Sequence, residues 1–310
     1  MSINAIEVKN LSKSYRKVQA VDNISFNVKA GSSFGLLGLN GAGKTTTLKM
    51  LVSLIQPDSG TATVSGHDIR KKPMEVRRSI GYVSENPSFY TRMTAMETLR
   101  YLCKLLDVPD SKREQRIENN LQLVGLTDKK DLYIGGYSRG MRHRLSLAQA
   151  LLSEPEILFL DEPTLGLDPL GAKNMRDLIT RLKSEKEVTI VMSSHVLPEV
   201  EAICSEVGIF DHGKLIAQDS VEHLRNTASD TINLEAVLIG PTEQLVKALL
   251  ELSFVNDVKM DGNRLIINAR KEGEIRPKIL DAIYQLNPQI LSYGIQESSL
   301  EDILLRILKR

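Results

Sequence analysis

The sequence predicts an α/β fold with a largely parallel sheet, followed by a small α+β domain. A glycine-rich loop at residues 38–46 lies between a short apolar strand, residues 33–37, and a helix. The apolar runs 157–160 and 188–192 suit strands buried on both faces, and helical segments lie between them. After residue 231 the pattern changes to a βαββαβ order.

Two further regions surround the predicted parallel sheet. Residues 5–9, 24–28 and 60–65 read as strands and predict an N-terminal β-subdomain. From residue 94 to 124 apolar side chains recur at helical spacing, which predicts a helical insertion. We therefore expect a first domain at residues 1–228, with its helical part at about residues 86–153, and a second domain at residues 229–310.

The second domain has the element order of a ferredoxin-like unit. Its predicted hairpin turns at Asp261-Gly262-Asn263, a strong two-strand signal. The predicted strands are 232–239, 255–260, 264–268 and 289–296, and the predicted helices are 242–252, 274–286 and 299–310.

The glycine-rich loop fits the phosphate-binding pattern G-x-x-x-x-G-K-[ST] at every fixed position, from Gly38 to Thr45. Glycine lets the backbone curl so that consecutive N–H groups and a helix N-terminus point at one anion. We expect Lys44 to reach the β- and γ-phosphates and Thr45 to ligate Mg²⁺. The residues predicted to bind the nucleotide here are Asn40, Gly41, Ala42, Gly43, Lys44, Thr45 and Thr46.

Two acids end the apolar strand at residues 157–160. An acid at a strand tip beside a phosphate-binding loop can hold Mg²⁺, and we assign this role to Asp161. Glu162 would then orient or deprotonate the water that attacks the γ-phosphate. The alternative is an Asp-Glu pair that only opens a turn before Pro163.

Composition narrows the class of protein. The formal net charge is +1, which gives no sign of a nucleic-acid partner. No run approaches the ~18 apolar residues of a membrane helix, and the start of the chain lacks the features of a signal peptide. Cys103 and Cys204 suggest neither a disulfide framework nor a metal site, so a reduced, cytoplasmic compartment is expected.

These motifs, over roughly residues 3–220, resemble the nucleotide-binding subunits of ATP-binding cassette (ABC) transporters. The segment Tyr137-Ser138-Arg139-Gly140-Met141 resembles the family signature Leu-Ser-Gly-Gly-Gln. Asp168 matches the D-loop, His195 matches the switch histidine that contacts the γ-phosphate, and Tyr15 stands where the family stacks an aromatic ring on adenine. Alternatively, Tyr15 is an ordinary strand-end aromatic, His195 is a structural histidine, and Ser138 is a helix N-cap, a role compatible with the signature.

The resemblance implies a P-loop NTPase cassette with an N-terminal β-subdomain and a helical insertion. It implies ATP and Mg²⁺ as ligands and a partner cassette, most simply a homodimer. In that dimer Ser138 and Gly140 of one subunit would cap the γ-phosphate held by the other. It also implies a separately encoded integral membrane permease, no nucleic acid, and a location in the cytoplasm against the inner face of the membrane.

Two positions depart from the family pattern. Glu85 stands where the Q-loop glutamine is usual, so its role as a metal ligand is an open expectation. Arg139 and Met141 replace glycine and glutamine in the signature. These departures, with the trailing small domain, resemble ATPase subunits that drive exporters of drugs, lipids, polysaccharides or ions.

Other functions were weighed against this one. A cassette ATPase acting on DNA or ribosomes would have tandem cassettes or long coiled coils, and here one cassette with a small insertion is predicted. A purely regulatory module would be favoured had Glu162 or His195 been missing. In the insertion, Phe89, Met93 and Met96 either dock the permease or pack the core of the insertion.

Overall fold

A computed structural model describes residues 4–186, 188–227, 231–240, 242–270 and 273–296. The chain divides into two compact units, Met1–Val221 and Glu222–Arg310. This division falls a few residues before residue 228, where the sequence predicts that the first domain ends. That each domain folds by itself stays a prediction. No helix within the described ranges is long and apolar enough to cross a membrane.

The strands of the first unit form two sheets. They are β1 (Asn4–Tyr15), β2 (Val18–Lys29), β3 (Ser33–Leu37), β4 (Ser59–Val64), β5 (His67–Asp68), β6 (Ile80–Val83), β7 (Ile157–Asp161), β8 (Thr189–Ser194), β9 (Glu206–Asp211) and β10 (Lys214–Ser220). The helices are α1 (Lys44–Leu51), α2 (Pro73–Ser79), α3 (Ala95–Leu105), α4 (Asp110–Leu123), α5 (Arg139–Ala150), α6 (Pro169–Lys186) and α7 (Leu197–Ile203), with 3₁₀ turns at Thr127–Lys129 and Ile134–Gly136.

The larger sheet has the order β10-β9-β3-β8-β7-β6, and its strands are parallel except for β10. Every residue of β3, β7 and β8 is buried, as their near-continuous apolar sequences predict. Because β6, β7, β3 and β8 run in one direction, the loops that follow them meet at the same edge of the sheet. This edge therefore gathers the predicted site residues.

The smaller sheet is antiparallel, with the order β2-β1-β4-β5. It joins the parallel sheet through three aromatic rings. Phe26 of β2 stacks on Phe34 of β3 with 5.3 Å between ring centroids, and Phe210 of β9 meets Phe26 edge-on at 6.2 Å. These rings belong to one buried apolar cluster that includes Leu48 of α1. The α/β fold with its N-terminal β-subdomain is confirmed.

The hairpin of β9 and β10 was not expected from the sequence. Its strands pair from Asp211 and Lys214, across His212 and Gly213. Both turn residues have positive φ, 44° and 80°, as a type I′ turn requires. A histidine in the left-handed region is uncommon, so the sequence His-Gly is a much weaker turn signal than Asn-Gly.

The helical insertion is a small packed subdomain. Helix α3 begins with a capping box, in which Thr94 Oγ1 accepts from Glu97 N at 3.1 Å and Glu97 Oε2 accepts from Thr94 N at 2.8 Å. The apolar faces of α3 and α4 are buried through Leu99 and Leu121. Met96 is also buried, which confirms the core-packing alternative for this residue.

The second unit has the expected βαββαβ order. Its elements are α8 (Val221–Thr227, beginning at the unit boundary), β11 (Thr231–Ile239), α9 (Thr242–Leu250), β12 (Val255–Asp261), β13 (Arg264–Arg270), α10 (Ile275–Gln285) and β14 (Gln289–Gln296). The sheet is antiparallel with the order β12-β13-β11-β14, and β12 pairs with β13 across the predicted turn at Gly262 and Asn263. The predicted helix at residues 299–310 lies outside the described residues.

The unit has an apolar core of its own. Buried side chains from the sheet pack with Leu245 and Leu249 of α9 and with Ile279 and Ile283 of α10. A core that closes within one unit is the physical condition for folding alone.

We therefore expect that removing all residues after Asp230 leaves the first unit folded. Near-UV circular dichroism of the truncated chain should retain the sharp aromatic signal of a packed core, and thermal unfolding should stay cooperative. A truncated chain that loses its near-UV signal while keeping its far-UV signal would show that the domain bounds are wrong.

The turn between β3 and α1 uses the conformational freedom of two glycines. Gly41 has φ of 83° and Gly43, the N-cap of α1, has φ of 99°. A Cβ at Gly43 would lie 2.4 Å from the carbonyl oxygen of Ala20, whereas a Cβ at Gly41 would meet no heavy atom within 4 Å. Both positions therefore have a backbone conformation that would strain any residue with a Cβ, but they differ in the space available for one.

Gly43→Ala should consequently destabilise the ligand-free protein by about 3 kcal/mol or more, because strain and a backbone clash act together. Gly41→Ala, the matched control, carries only the strain, about 1–2 kcal/mol. Urea unfolding followed by circular dichroism measures both. Equal destabilisation by the two substitutions would contradict the clash with Ala20.

Candidate nucleotide site

Lys44 is the first residue of α1 and its side chain is only 5% exposed. Its ammonium donates to the carbonyl oxygens of Gly38 at 2.7 Å and Leu39 at 3.1 Å, and it lies 3.6 Å from Glu162 Oε1. Burial lowers the pKa of Lys44, and the carboxylate of Glu162 opposes this shift. The lysine thus stabilises the curled loop from the first residue of α1, the helix end that favours an anion.

Asp161 is the last residue of β7, and its buried carboxylate accepts hydrogen bonds from three hydroxyls. Thr45 Oγ1 donates to Oδ1 at 2.8 Å, Ser193 Oγ donates to Oδ1 at 2.7 Å, and Tyr82 OH donates to Oδ2 at 3.3 Å. Burial and the nearby carboxylates of Asp161 and Glu85 raise the pKa of Tyr82, so its phenol stays protonated and remains a donor. Asp161 thereby joins α1, β6, β7 and β8.

Glu162 and His195 meet at this edge of the sheet. His195 Nδ1 lies 2.8 Å from Glu162 Oε2. Glu162 has φ of 47°, a conformation that costs a non-glycine residue on the order of 1–3 kcal/mol. Its N–H donates to Ser193 Oγ at 3.0 Å, a bond that helps to hold the strained backbone. The carboxylate is thus turned toward both Lys44 and the imidazole.

The loop, Glu162 and His195 surround one open cavity of about 420 Å³. Its lining residues are Val18, Ala20, Asn40, Gly41, Ala42, Gly43, Lys44, Thr45, Thr46, Glu85, Glu162, Leu165 and His195. The cavity thus brings together most of the nucleotide-binding and catalytic residues that the sequence predicts. Tyr15 does not line the cavity: its side chain is 46% exposed, with the Lys13 ammonium 5.7 Å from the ring centroid.

The signature and D-loop residues line a different cavity, of about 410 Å³. It contains Ser138, Gly140 and Asp168, and it shares no lining residue with the first cavity. Ser138 is the N-cap of α5, since its Oγ accepts from Met141 N at 3.2 Å, so the N-cap interpretation is confirmed. Asp168 Oδ1 accepts from Gly171 N at 2.6 Å at the start of α6.

The structure also accounts for part of the unusual signature. The guanidinium of Arg139 occupies the space that a Cβ at Gly166 would need, and Gly166 has φ of 70°. Gly166 lies two residues before Asp168, so the signature is in direct contact with the segment of the D-loop. Sequence reasoning did not connect these two residues, because neither the pattern nor the spacing indicates a contact between them.

The oxygen atoms beside the loop suit Mg²⁺. Among the described residues no group of three or more His, Cys, Asp and Glu could hold a metal ion by itself. Mg²⁺ commonly takes only one or two protein oxygens, and completes its shell with phosphate oxygens and water. Thr45 and Asp161, whose oxygens lie 2.8 Å apart, fit that requirement. Glu85 lines the same cavity, and its Oε1 accepts from Asn86 Nδ2 at 3.2 Å.

Solved structures of ATP-binding cassettes share this fold. An ATP-binding subunit of an ABC transporter aligns with a TM-score of 0.65 at 30% identity, covering 72% of this chain and 92% of that one. A dimeric cassette, MJ0796, in a post-hydrolysis state with ADP and phosphate aligns with a TM-score of 0.64, covering 70% and 98%. At 22% identity this second likeness bears on the fold alone.

The sequence comparisons agree. The family model described as ABC transporter matches residues 21–165. The bacitracin transport ATP-binding protein BcrA of Bacillus licheniformis is 36% identical over 98% of this chain and 97% of its own length. The linearmycin resistance ATP-binding protein LnrL of Bacillus subtilis is 33% identical over 98% of both chains. The chain therefore belongs to the ABC transporter family, as one of its ATP-binding and ATP-hydrolysing cassettes.

Proposed function

We propose that this cassette hydrolyses MgATP in a dimer and thereby drives a separately encoded membrane permease, in the direction of export. The observation that carries the proposal is the division of the site. Lys44, Glu162 and His195 surround one cavity, whereas Ser138, Gly140 and Asp168 line another. A second copy would bring the missing half to each nucleotide.

Binding uses the loop and the residues around it. N–H groups between residues 40 and 46 bind the phosphates, apart from that of Ala42, which donates to Leu39 O at 3.1 Å. The Lys44 ammonium exchanges its carbonyl contacts for β- and γ-phosphate oxygens. Thr45 and Asp161 would hold Mg²⁺, with Glu85 as a further candidate ligand. When bound, the ion neutralises charge on the phosphates. Tyr15 stacks on adenine in this proposal, which requires its exposed ring to turn from Lys13 toward the cavity.

Hydrolysis requires a base near the γ-phosphate. Glu162 accepts the proton of the attacking water, because its carboxylate lines the cavity between Lys44 and His195. His195 orients that carboxylate through the 2.8 Å contact and reaches the γ-phosphate with its other ring nitrogen. Positioning and charge stabilisation carry most of the catalysis in phosphoryl transfer.

The second subunit supplies the signature. The N-terminus of α5, the Ser138 hydroxyl and the Gly140 N–H would cap the γ-phosphate in the partner's loop. Loss of the γ-phosphate removes these contacts, so ATP favours the closed dimer and hydrolysis opens it. Asp168 lines the same cavity and would lie at the dimer interface.

The permease would dock on the helical insertion. Exposed apolar side chains gather there, among them Tyr90 at 69% and Tyr133 at 65% exposure. Their segments are joined by hydrogen bonds from Ile134 N to Met93 O and from Gly135 N to Thr91 O. The bacitracin and linearmycin relatives are named for transport and resistance, which supports export of a small toxic molecule. The cassette would then lie in the cytoplasm against the membrane. Nothing in these comparisons supports the DNA or ribosome alternative.

Glu162→Gln should preserve ATP binding and lower turnover by ~10²–10⁴-fold, because the amide cannot accept the proton of the attacking water. A long-lived ATP-bound dimer should appear in size-exclusion chromatography. Glu185→Gln, which alters an exposed ion pair with Arg181, is the matched control and should behave as the unmodified protein. Unimpaired hydrolysis by Glu162→Gln would remove this residue from the role of base.

Lys44→Ala should instead lose ATP binding.

The permease can be sought directly by purifying the tagged cassette from detergent-solubilised membranes of its native cell. The co-purified chain should have about six apolar segments of ~20 residues each. Tyr133→Asp should reduce its recovery, because a charge enters the exposed apolar surface, while Tyr284→Asp in the second unit should not. Recovery of a ribosomal or DNA-bound partner instead would contradict the transport function.

A further inference from the structure

Glu199 is a buried carboxylate outside the lining of the nucleotide cavity. It lies on α7, is 5% exposed, and is not among the residues that line the nucleotide cavity. Its Oε1 accepts from Thr164 Oγ1 at 2.5 Å, and its Oε2 accepts from Ser194 Oγ at 3.1 Å. Arg176 Nη1 of α6 lies 3.8 Å from Oε1. One side chain thus contacts three separate segments.

Two of these segments carry the catalytic pair. Thr164 follows Glu162 by two residues, and Ser194 directly precedes His195. Thr164 and Ser194 are both buried, so their hydroxyls depend on protein partners for their hydrogen bonds. The third segment, α6, begins directly after Asp168 of the D-loop.

We propose that Glu199 is a positioning residue for ATP hydrolysis, which holds the loop of Glu162 and the loop of His195 at the separation that their 2.8 Å contact requires. The inference rests on the proposed roles of Glu162 and His195. Glu199 does not touch the nucleotide, so its effect falls on the rate of hydrolysis rather than on affinity. A misplacement of about 1 Å near a reacting group can cost roughly 100-fold in rate.

Glu199→Gln changes only the charge and the donor pattern of this side chain. An amide N–H facing Thr164 would oppose a hydroxyl donor and the nearby Arg176 cation. The amide oxygen therefore faces Thr164, and the amide nitrogen faces Ser194. Ser194 Oγ, which also accepts from Val196 N at 2.9 Å, must then accept from the amide and turn its own proton toward Val196 O at 3.4 Å. The loop of His195 thereby loses its charge-assisted bond to Glu199 and keeps only a weaker neutral contact.

The test compares Glu199→Gln, Ser194→Ala and the control Glu185→Gln. The first two should lower kcat roughly 10-fold to 100-fold, while KM and Kd for ATP change less than about 2-fold. The double variant Glu199→Gln/Ser194→Ala should be no slower than the slower single variant, because each single substitution already removes the same contact between Ser194 and Glu199. Glu185→Gln should keep the unmodified kcat.

The results distinguish failure of the role of Glu199 from failure of the proposed function. Unmodified kcat in Glu199→Gln overturns the inference, and so does a loss of ATP affinity that parallels the loss of kcat together with a lowered Tm. Should Glu199→Gln fail to fold, Ser194→Ala decides by the same criteria. Glu162→Gln is measured alongside: normal turnover there overturns the proposed function. Normal turnover in Glu199→Gln beside an inactive Glu162→Gln overturns only the role of Glu199.

Discussion

The hydrogen bonds at the carboxylate of Asp161 are the interaction on which the rest of the site depends. Asp161 is 1% exposed, and its Oδ1 accepts from Thr45 of α1 and from Ser193 of β8. A buried carboxylate with unpaired oxygens would be costly, so these bonds determine how closely the first helix and β8 approach β7. Ser193 also accepts from Glu162 N, which extends the constraint to the strained residue beside Asp161.

Much of the site was predictable because its signals are local. The loop pattern is a run of consecutive residues, and Asp161 and Glu162 directly follow a recognisable buried strand. Tyr82, Ser193 and Glu199 were not predicted, because their partners lie 79, 32 and 35 residues away along the chain. A serine or a glutamate has many surface roles, and only the strand order brings these side chains to one carboxylate or one pair of loops.

The fold shows the same division between local and distant signals. Burial on both faces made β3, β7 and β8 visible as apolar runs, and the turn at Gly262 and Asn263 made the second hairpin visible. The hairpin of β9 and β10 was missed, because its turn depends on a histidine with positive φ. Such a turn is stabilised by pairing and packing of the strands on either side rather than by the turn residues themselves.

Contacts within the first unit link Glu162 to the D-loop over a short distance. Leu165 N donates to Glu162 O and Leu167 N donates to Thr164 O, so successive turns lead from Glu162 toward Asp168. Arg139 lies against Gly166 within these turns, which joins the signature to the same segment. A movement of Glu162 after hydrolysis would therefore act on the D-loop and signature together, because both lie against one continuous stretch of chain. In the proposed dimer these are the surfaces that face the partner's nucleotide, so each site would be sensitive to the state of the other.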